Sequence, residues 1–169
     1  MLTISQATTP EQLDSVRTLI RAFVAWHRER HHEDLALIDQ YFDAIAFEEE
    51  LATLPGKYAP EKRGDLLLAS YDGQPAGCVA LREIDTQNCE MKRMFVYPQF
   101  QGKGVGHGLA ETIIAQAKTL GYSKMLLDTS YRQVEAQKLY QSVGFNRIDP
   151  YYELPPELQS WLVFMELSL

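Results

Sequence analysis

The sequence predicts one α/β domain, residues 1–169, with a mostly antiparallel sheet flanked by helices. Runs rich in β-branched and aromatic residues alternate with stretches whose apolar residues recur at helical spacing. An Asp-Gly pair at positions 72–73, a favoured two-residue turn, joins two of the strand-like runs as a hairpin. Because 46% of the 169 residues are hydrophobic, one sizeable core is expected and two domains would be cramped.

The N-terminal elements are predicted from caps and periodicity. Residues 2–6 form a short strand, and Thr9 and Pro10 then supply a helix cap and a proline at the first helical position. A second helix is predicted over residues 39–54. Pro55 and Gly56 end it, and a loop runs from there to Gly64.

Three strands form a meander in the middle of the chain, at residues 65–71, 74–83 and 90–96. On the third strand, alternation puts Glu90, Lys92, Met94 and Val96 on one face and Met91, Arg93 and Phe95 on the other. A further strand is predicted at residues 124–129.

Composition excludes several functional classes. A net charge of −7 argues against nucleic-acid binding, which needs excess Lys and Arg. No apolar run reaches the roughly 20 residues that cross a bilayer, and no basic-then-apolar leader opens the chain, so we expect no membrane partner and a cytoplasmic location. Cys78 and Cys89 are too few for a disulfide framework and are expected to be reduced, packed thiols.

A pair of histidines invites a metal interpretation. His27 and His31 lie four residues apart on one helical face, but a zincin helix needs His-Glu-x-x-His, which is absent. We therefore expect no metal here and a solvated helix end.

The most informative stretch is residues 90–120, which read as strand, glycine-rich loop and helix. The first turn of a helix has N–H groups without internal partners and the positive end of the helix dipole, so an anion is its natural ligand. Glycines let the main chain approach phosphate oxygens. Gln101 and Lys103 add an amide and a positive charge.

Spacing separates the phosphate-loop types. A P-loop fails because Gly104, not Ser or Thr, follows Lys103, and the dinucleotide pattern Gly-x-Gly-x-x-Gly fails in either register. The loop fits Gln-x-x-Gly-x-Gly, filled by Gln101, Gly104 and Gly106, and so resembles the pyrophosphate loop of the Gcn5-related N-acetyltransferase (GNAT) superfamily. The alternative is a glycine-rich turn before a core helix.

A second motif strengthens this resemblance. Residues 136–145 are similar to the superfamily's later signature Ala-x-x-Leu-Tyr-x-x-x-Gly-Phe, at the expected distance. The resemblance covers the chain from about residue 65 onward. It implies the GNAT acyl-CoA N-acyltransferase fold, with a mixed, mostly antiparallel, twisted sheet that is splayed near Val96. It also implies two closing strands, at residues 146–152 and 161–167, with a loop between them.

The resemblance also implies the coenzyme contacts. They are Met94, Phe95, Val96, Gln101, Gly102, Lys103, Gly104, Val105, Gly106, His107, Gln133 and Ala136. At position 133 the family usually has Asn. The side-chain amide of Gln133 therefore reaches one methylene further towards the pantetheine arm than the family's Asn would. Asp128, Thr129 and Ser130, at the end of the preceding strand, face the same region.

Amine acetylation requires a base, because a primary amine with a pKa of about 10 is mostly protonated at neutral pH. Glu90 stands eleven residues before Gln101, the offset of the general base in histone-acetylating family members. The alternative is a structural carboxylate paired with Lys92 or Arg93. A main-chain N–H of the same strand, at Met94 or Phe95 in the family pattern, is implied as the oxyanion donor.

Tyr140, in the Leu-Tyr of the later signature, matches the family's general acid, which returns a proton to the coenzyme A thiolate. The alternative is an aromatic that only packs. Candidate acceptor contacts are Trp26, Tyr41, Tyr58 and Tyr152, which could equally be core or rim residues.

The predicted function is acetyl-CoA-dependent N-acetylation of a primary amine, of small-molecule or amino-acid type, by direct transfer in a ternary complex. The assembly is left open, with a homodimer as one candidate. The alternatives are a non-catalytic acyl-CoA sensor and an acyltransferase with a longer acyl donor, an alcohol acceptor or a protein acceptor.

Overall fold

A computed structural model describes all 169 residues of the chain. The strands are β1 (Leu2–Gln6), β2 (Asp65–Tyr71), β3 (Gln74–Glu83), β4 (Asn88–Val96), β5 (Lys124–Ser130), β6 (Asn146–Ile148) and β7 (Leu162–Ser168). The helices are α1 (Pro10–Arg30), α2 (Leu35–Tyr41), α3 (Ala44–Ala52), α4 (Val105–Thr119), α5 (Val134–Ser142) and α6 (Pro156–Trp161). None of the helices is both long enough and apolar enough to span a bilayer.

The seven strands form one sheet in the order β1-β2-β3-β4-β5-β7-β6. Every neighbouring pair is antiparallel except β4 and β5, which are parallel. One apolar core lies between the sheet and α4, and a second lies on the opposite face under α1 and α6. The predicted α/β fold with a mixed, mostly antiparallel sheet is confirmed.

The parallel pair β4–β5 is short. It covers only Asn88–Glu90 against Lys124–Leu126, after which the two strands separate. The splay therefore begins after Glu90, and its predicted position near Val96 was wrong. A β-bulge follows in the same strand, where Arg93 and Met94 lie opposite Val79 of β3.

The same bulge overturns the predicted faces of β4. Arg93 has a φ of 57°, an uncommon value for a residue with a side chain. As a result Lys92 and Arg93 lie on the same side, over the rings of Tyr41 and Phe42 respectively. Met94 instead joins the core under α4. Strict alternation holds only up to the bulge.

Several predicted boundaries also needed correction. The helix expected at 39–54 is two helices, because the Asp43 side chain accepts a hydrogen bond from the Ala46 N–H (3.0 Å) and caps a new start. The loop before Gly64 contains two short 3-10 turns, at Gly56–Tyr58 and Pro60–Lys62.

The C-terminal segment is more helical than expected. The strand predicted at 146–152 ends at Ile148, and the predicted loop contains α6, with Pro156 in its first turn.

At the other end of the chain, α1 begins as predicted, since Thr9 accepts from the Gln12 N–H (3.2 Å) and Gln12 accepts in return from the Thr9 N–H (3.1 Å).

The two histidines of α1 are not at a solvated helix end. His27 is 1% and His31 7% exposed, and burial lowers the pKa of His27 to about 4. The prediction of a solvated end was wrong because the tip of α1 packs against Trp161. Cys78 and Cys89 are free and buried, as expected.

The bulge at Arg93 is held by a buried ion pair. The guanidinium donates to both Glu50 oxygens (2.8 and 3.1 Å), and the two side chains are only 11% and 10% exposed. Burial favours the neutral acid, but Arg93 and Lys57 outweigh it and lower the pKa of Glu50 to about 2.

We expect Glu50→Gln to lower the free energy of unfolding by about 3 kcal/mol at pH 7, since it leaves Arg93 as an uncompensated buried charge. The Glu50 pKa is depressed in the folded state, so its stabilisation is present above the unfolded pKa and fades as pH falls from about 5 towards 2. Urea unfolding at pH 7 and pH 3 measures this.

The matched control is Glu48→Gln on the same helix. Glu48 pairs with Arg21 in the open, with side chains 58% and 51% exposed, so little change is expected. Equal losses in the two variants would contradict a special role for the Arg93–Glu50 pair.

Candidate active site

The glycine-rich loop ends in the exposed backbone donors of a helix start. Gly104 caps α4 in the left-handed region (φ 81°), with no side-chain hydrogen bond to the cap. The first helical bond runs from the Gly108 N–H to the Gly104 carbonyl (3.0 Å). The N–H groups of Val105, Gly106 and His107 therefore have no acceptor within the helix.

These donors face a groove of about 420 Å³, enclosed by β4, the loop, α4 and α5, which we call the coenzyme groove after the predicted contacts that line it. Every predicted coenzyme contact lines it except Lys103, whose ammonium lies over the rings of Tyr71 and Phe100. Arg30 and Glu135 complete the rim, joined by a hydrogen bond of 2.8 Å. The groove fits a phosphate-bearing, extended ligand.

A second, smaller pocket lies in the splay of β4 and β5. Its volume is about 50 Å³, and we call it the inner pocket. Its charged and hydroxylic lining residues are Glu90, Lys92, Arg93, Asp128, Thr129, Ser130, Tyr41 and Tyr140. It shares Phe23, Met94 and Gln133 with the groove, so the two cavities adjoin at these residues.

Glu90 lies in the inner pocket and is 2% exposed. One carboxylate oxygen accepts from Arg82 (2.7 Å), and the other accepts from the Tyr151 hydroxyl (2.5 Å). Burial favours the neutral acid, but Lys92, Tyr151 and Arg82 together lower the pKa of Glu90 below its usual value. The carboxylate is ionised at neutral pH and is a weaker proton acceptor than a free glutamate.

Tyr140 also lines the inner pocket and is 6% exposed. Burial, with a smaller contribution from the nearby Asp128 carboxylate, raises the pKa of its hydroxyl. The phenol therefore keeps its proton throughout the neutral range. This is the state that a proton donor needs.

Asp128 is the centre of a tyrosine cluster. One of its oxygens accepts from Tyr41 (2.5 Å) and the other from Tyr152 (2.6 Å), two of the predicted acceptor contacts. Tyr41 lines the inner pocket, whereas Tyr152 contributes through Asp128. The sequence indicated that residues 128–130 face this region, but not that two tyrosines converge on Asp128 from distant segments.

A third cavity, of about 360 Å³, lies beyond Tyr41, Phe42 and Arg93, which also line the inner pocket. We call it the outer pocket. Tyr58 lines it and is fully buried, with its hydroxyl donating to Glu50 (3.0 Å). The remaining predicted acceptor contact, Trp26, lines the coenzyme groove instead.

Sequence reasoning missed Arg82 as part of this site, and it did not predict that Tyr151 bonds Glu90. Arg82 and Tyr151 reach the site from other elements to hold Glu90.

Gln133 was expected to offer its side-chain amide to the coenzyme. The oxygen of that amide is used within the chain, where it accepts from the Thr129 hydroxyl (2.8 Å) and from the Ser130 N–H (3.2 Å). This leaves its NH₂ group for a ligand.

Comparison with known proteins identifies the family. The sequence pattern that defines the Acetyltransferase (GNAT) family matches residues 24–145. The chain belongs to the GNAT family. An uncharacterized N-acetyltransferase of Schizosaccharomyces pombe is 32% identical over 155 residues, 91% of this chain and 88% of that protein. Human N-acetylaspartate synthetase is 30% identical over 129 residues, 75% of this chain and 42% of that protein.

Solved structures agree with the fold. PaiA N-acetyltransferase of Thermoplasma acidophilum, in complex with coenzyme A, superposes with a TM-score of 0.74 at 16% identity, covering 100% of this chain and 99% of that one. The predictions of a GNAT fold, of an N-acetyltransferase and of acetyl-CoA as its cosubstrate are confirmed.

Gly104→Val should abolish coenzyme A binding, measured by isothermal titration calorimetry. The substitution puts a branched side chain where phosphate should approach the α4 donors. Gly121→Val is the matched control. Gly104 and Gly121 both have positive φ (81° and 87°) and open space where a side chain would begin. Gly121, however, lies after the end of α4 and does not line the groove. Equal affinity losses would show a general folding effect, and undiminished affinity in Gly104→Val would contradict the loop assignment.

Proposed function

We propose that this protein transfers an acetyl group from acetyl-CoA directly to a primary amine of small-molecule or amino-acid type, within a ternary complex. The observation that carries the proposal is the series of adjoining cavities. The coenzyme groove meets the inner pocket at Phe23, Met94 and Gln133, and the inner pocket meets the outer one at Tyr41, Phe42 and Arg93. Donor and acceptor can thus approach one centre from opposite sides.

On the donor side, the N–H groups of Val105, Gly106 and His107 bind the diphosphate of acetyl-CoA, and the NH₂ group of Gln133 bonds the pantetheine arm. The thioester then reaches the inner pocket beside Met94. A main-chain N–H of Met94 or Phe95 stabilises the oxyanion that forms on attack.

On the acceptor side, the amine must lose a proton before it attacks. Burial in a small pocket lowers the pKa of a bound amine. Glu90 accepts the proton directly or through a water, while Arg82 and Tyr151 hold its carboxylate. The amine nitrogen attacks the thioester carbon, the C–S bond breaks, and the Tyr140 hydroxyl gives its proton to the departing thiolate.

The amino-acid type of acceptor is supported by the relatives. Several of them are N-acetylaspartate synthetases, whose name states an N-acetylated amino acid. A cytoplasmic location and a homodimeric assembly remain predictions.

Release of the coenzyme A thiol from acetyl-CoA across a panel of amines tests the proposal. The wild type should release thiol only with an amine present, and Tyr140→Phe should lower turnover about 100-fold with unchanged coenzyme affinity, because it lacks the proton but keeps the ring. Tight coenzyme A binding without thiol release for any amine would favour the sensor function instead.

Glu90→Gln should lower kcat/KM more at pH 7 than at about pH 9.5, where free amine is already abundant. A pH-rate profile with one acceptor measures this. Glu83→Gln is the control and should leave the profile unchanged. Glu83 lies on the neighbouring strand β3 and pairs with Arg63 outside the inner pocket. A loss of the same size at every pH would assign Glu90 a structural role in holding Arg82 and Tyr151.

A further inference from the structure

Lys92 is the one cation of the inner pocket without a hydrogen-bonded partner in the chain. Its side chain is only 16% exposed, and the nearest carboxylate oxygen, on Glu90, is 3.7 Å away. That oxygen already accepts from Arg82 at 2.7 Å. Arg93, the other cation of the pocket, is satisfied by two hydrogen bonds to Glu50.

A largely buried ammonium with open donors is costly, because it has lost part of its hydration without gaining full compensation. An anion inside the pocket would remove that cost and form a charge-assisted hydrogen bond. Burial lowers the pKa of Lys92, and the charges of Glu90 and Asp128 act in the opposite direction. The position of Lys92 on the pocket wall therefore indicates a negatively charged ligand group.

The opposite wall of the inner pocket is negative. Lys92 lies on β4 and Asp128 on β5, on the two sides of the splay. Tyr41 lies between them, since its ring is 5.8 Å from the Lys92 ammonium and its hydroxyl donates to Asp128. The Asp128 charge also contributes, after burial, to raising the pKa of the Tyr140 hydroxyl, the predicted proton donor.

We propose that the acceptor is a small amine that also carries a carboxylate, with its carboxylate on Lys92 and its amino group on the side of Asp128. Glu90 takes the proton from that amino group through a water. This assignment rests on the proposed acetylation of an amine and names the class of that amine. The inner pocket, at about 50 Å³, has room for the charged head of such a molecule only. The remainder extends past Tyr41 and Phe42 into the outer pocket.

The decisive experiment compares each common α-amino acid with its α-carboxamide, which keeps the amine and the side chain but lacks the carboxylate. Binding is measured by calorimetry on the coenzyme A-loaded protein, and thiol release from acetyl-CoA is measured separately. For at least one amino acid, the acid should bind on the order of 10- to 100-fold more tightly than its amide, the value of hydrogen bonds to a charged group. Lys92→Met should reduce that ratio to about 1.

Two further variants make the test specific. Lys92→Arg keeps the charge and should retain part of the preference. Lys124→Met is the matched control, since Lys124 lies on β5 but pairs with Glu166 outside the pocket and is 40% exposed, so the ratio should not change. If Lys92→Met fails to fold, the ratio of acid to amide affinity in the wild type alone tests the inference.

Amides that bind as tightly as their acids, or no binding of any amino acid, would overturn the inference. An unchanged ratio in folded Lys92→Met would do the same. Preferential binding of acids without any thiol release would support the acceptor class while contradicting the proposed transfer.

Discussion

The site depends on one constraint, which is that β4 and β5 pair over three residues and then separate. Beyond Glu90 and Leu126, the facing edges of the two strands no longer pair with each other. Backbone N–H and C=O groups need partners, so an open edge within a sheet is costly unless a ligand or another segment covers it. The coenzyme groove and the inner pocket both lie along this opening.

The charges around the opening fall into two groups. Arg93 with Glu50 is a buried pair, and Arg82 with Glu90 is a pair in which only the carboxylate is fully buried. Both pairs have short hydrogen bonds, so they fix the walls of the pocket. Lys92 has no such partner, and its charge remains available to a ligand. A site that pairs Arg93 and Glu90 within the chain, but leaves Lys92 without a hydrogen-bonded partner and Asp128 bonded only to tyrosines, can select a ligand by its charges.

Local sequence features predicted much of the fold and of the donor side. The loop before α4 was recognised because glycine spacing, a preceding strand and a following helix are all local. The bulge at Arg93 was not, since a register shift depends on the strand opposite. Asp43 and Pro156 did signal helix starts, but Asp43 lies within a run that predicts one continuous helix, and the Pro155–Pro156 pair predicts a break in the chain's regular structure. The tyrosines on Asp128 and the partners of Glu90 come from segments far apart in sequence, and no local pattern brings them together.

The central claim is that acetyl-CoA lies along the open edge of β4, with its sulfur at the inner pocket. A crystal structure with coenzyme A bound tests this most directly. It should show the diphosphate on the N–H groups of residues 105–107, the pantetheine arm beside β4 and the thiol within hydrogen-bonding reach of Tyr140. Coenzyme A bound elsewhere, or β4 and β5 paired along their full length so that the opening is closed, would contradict the account.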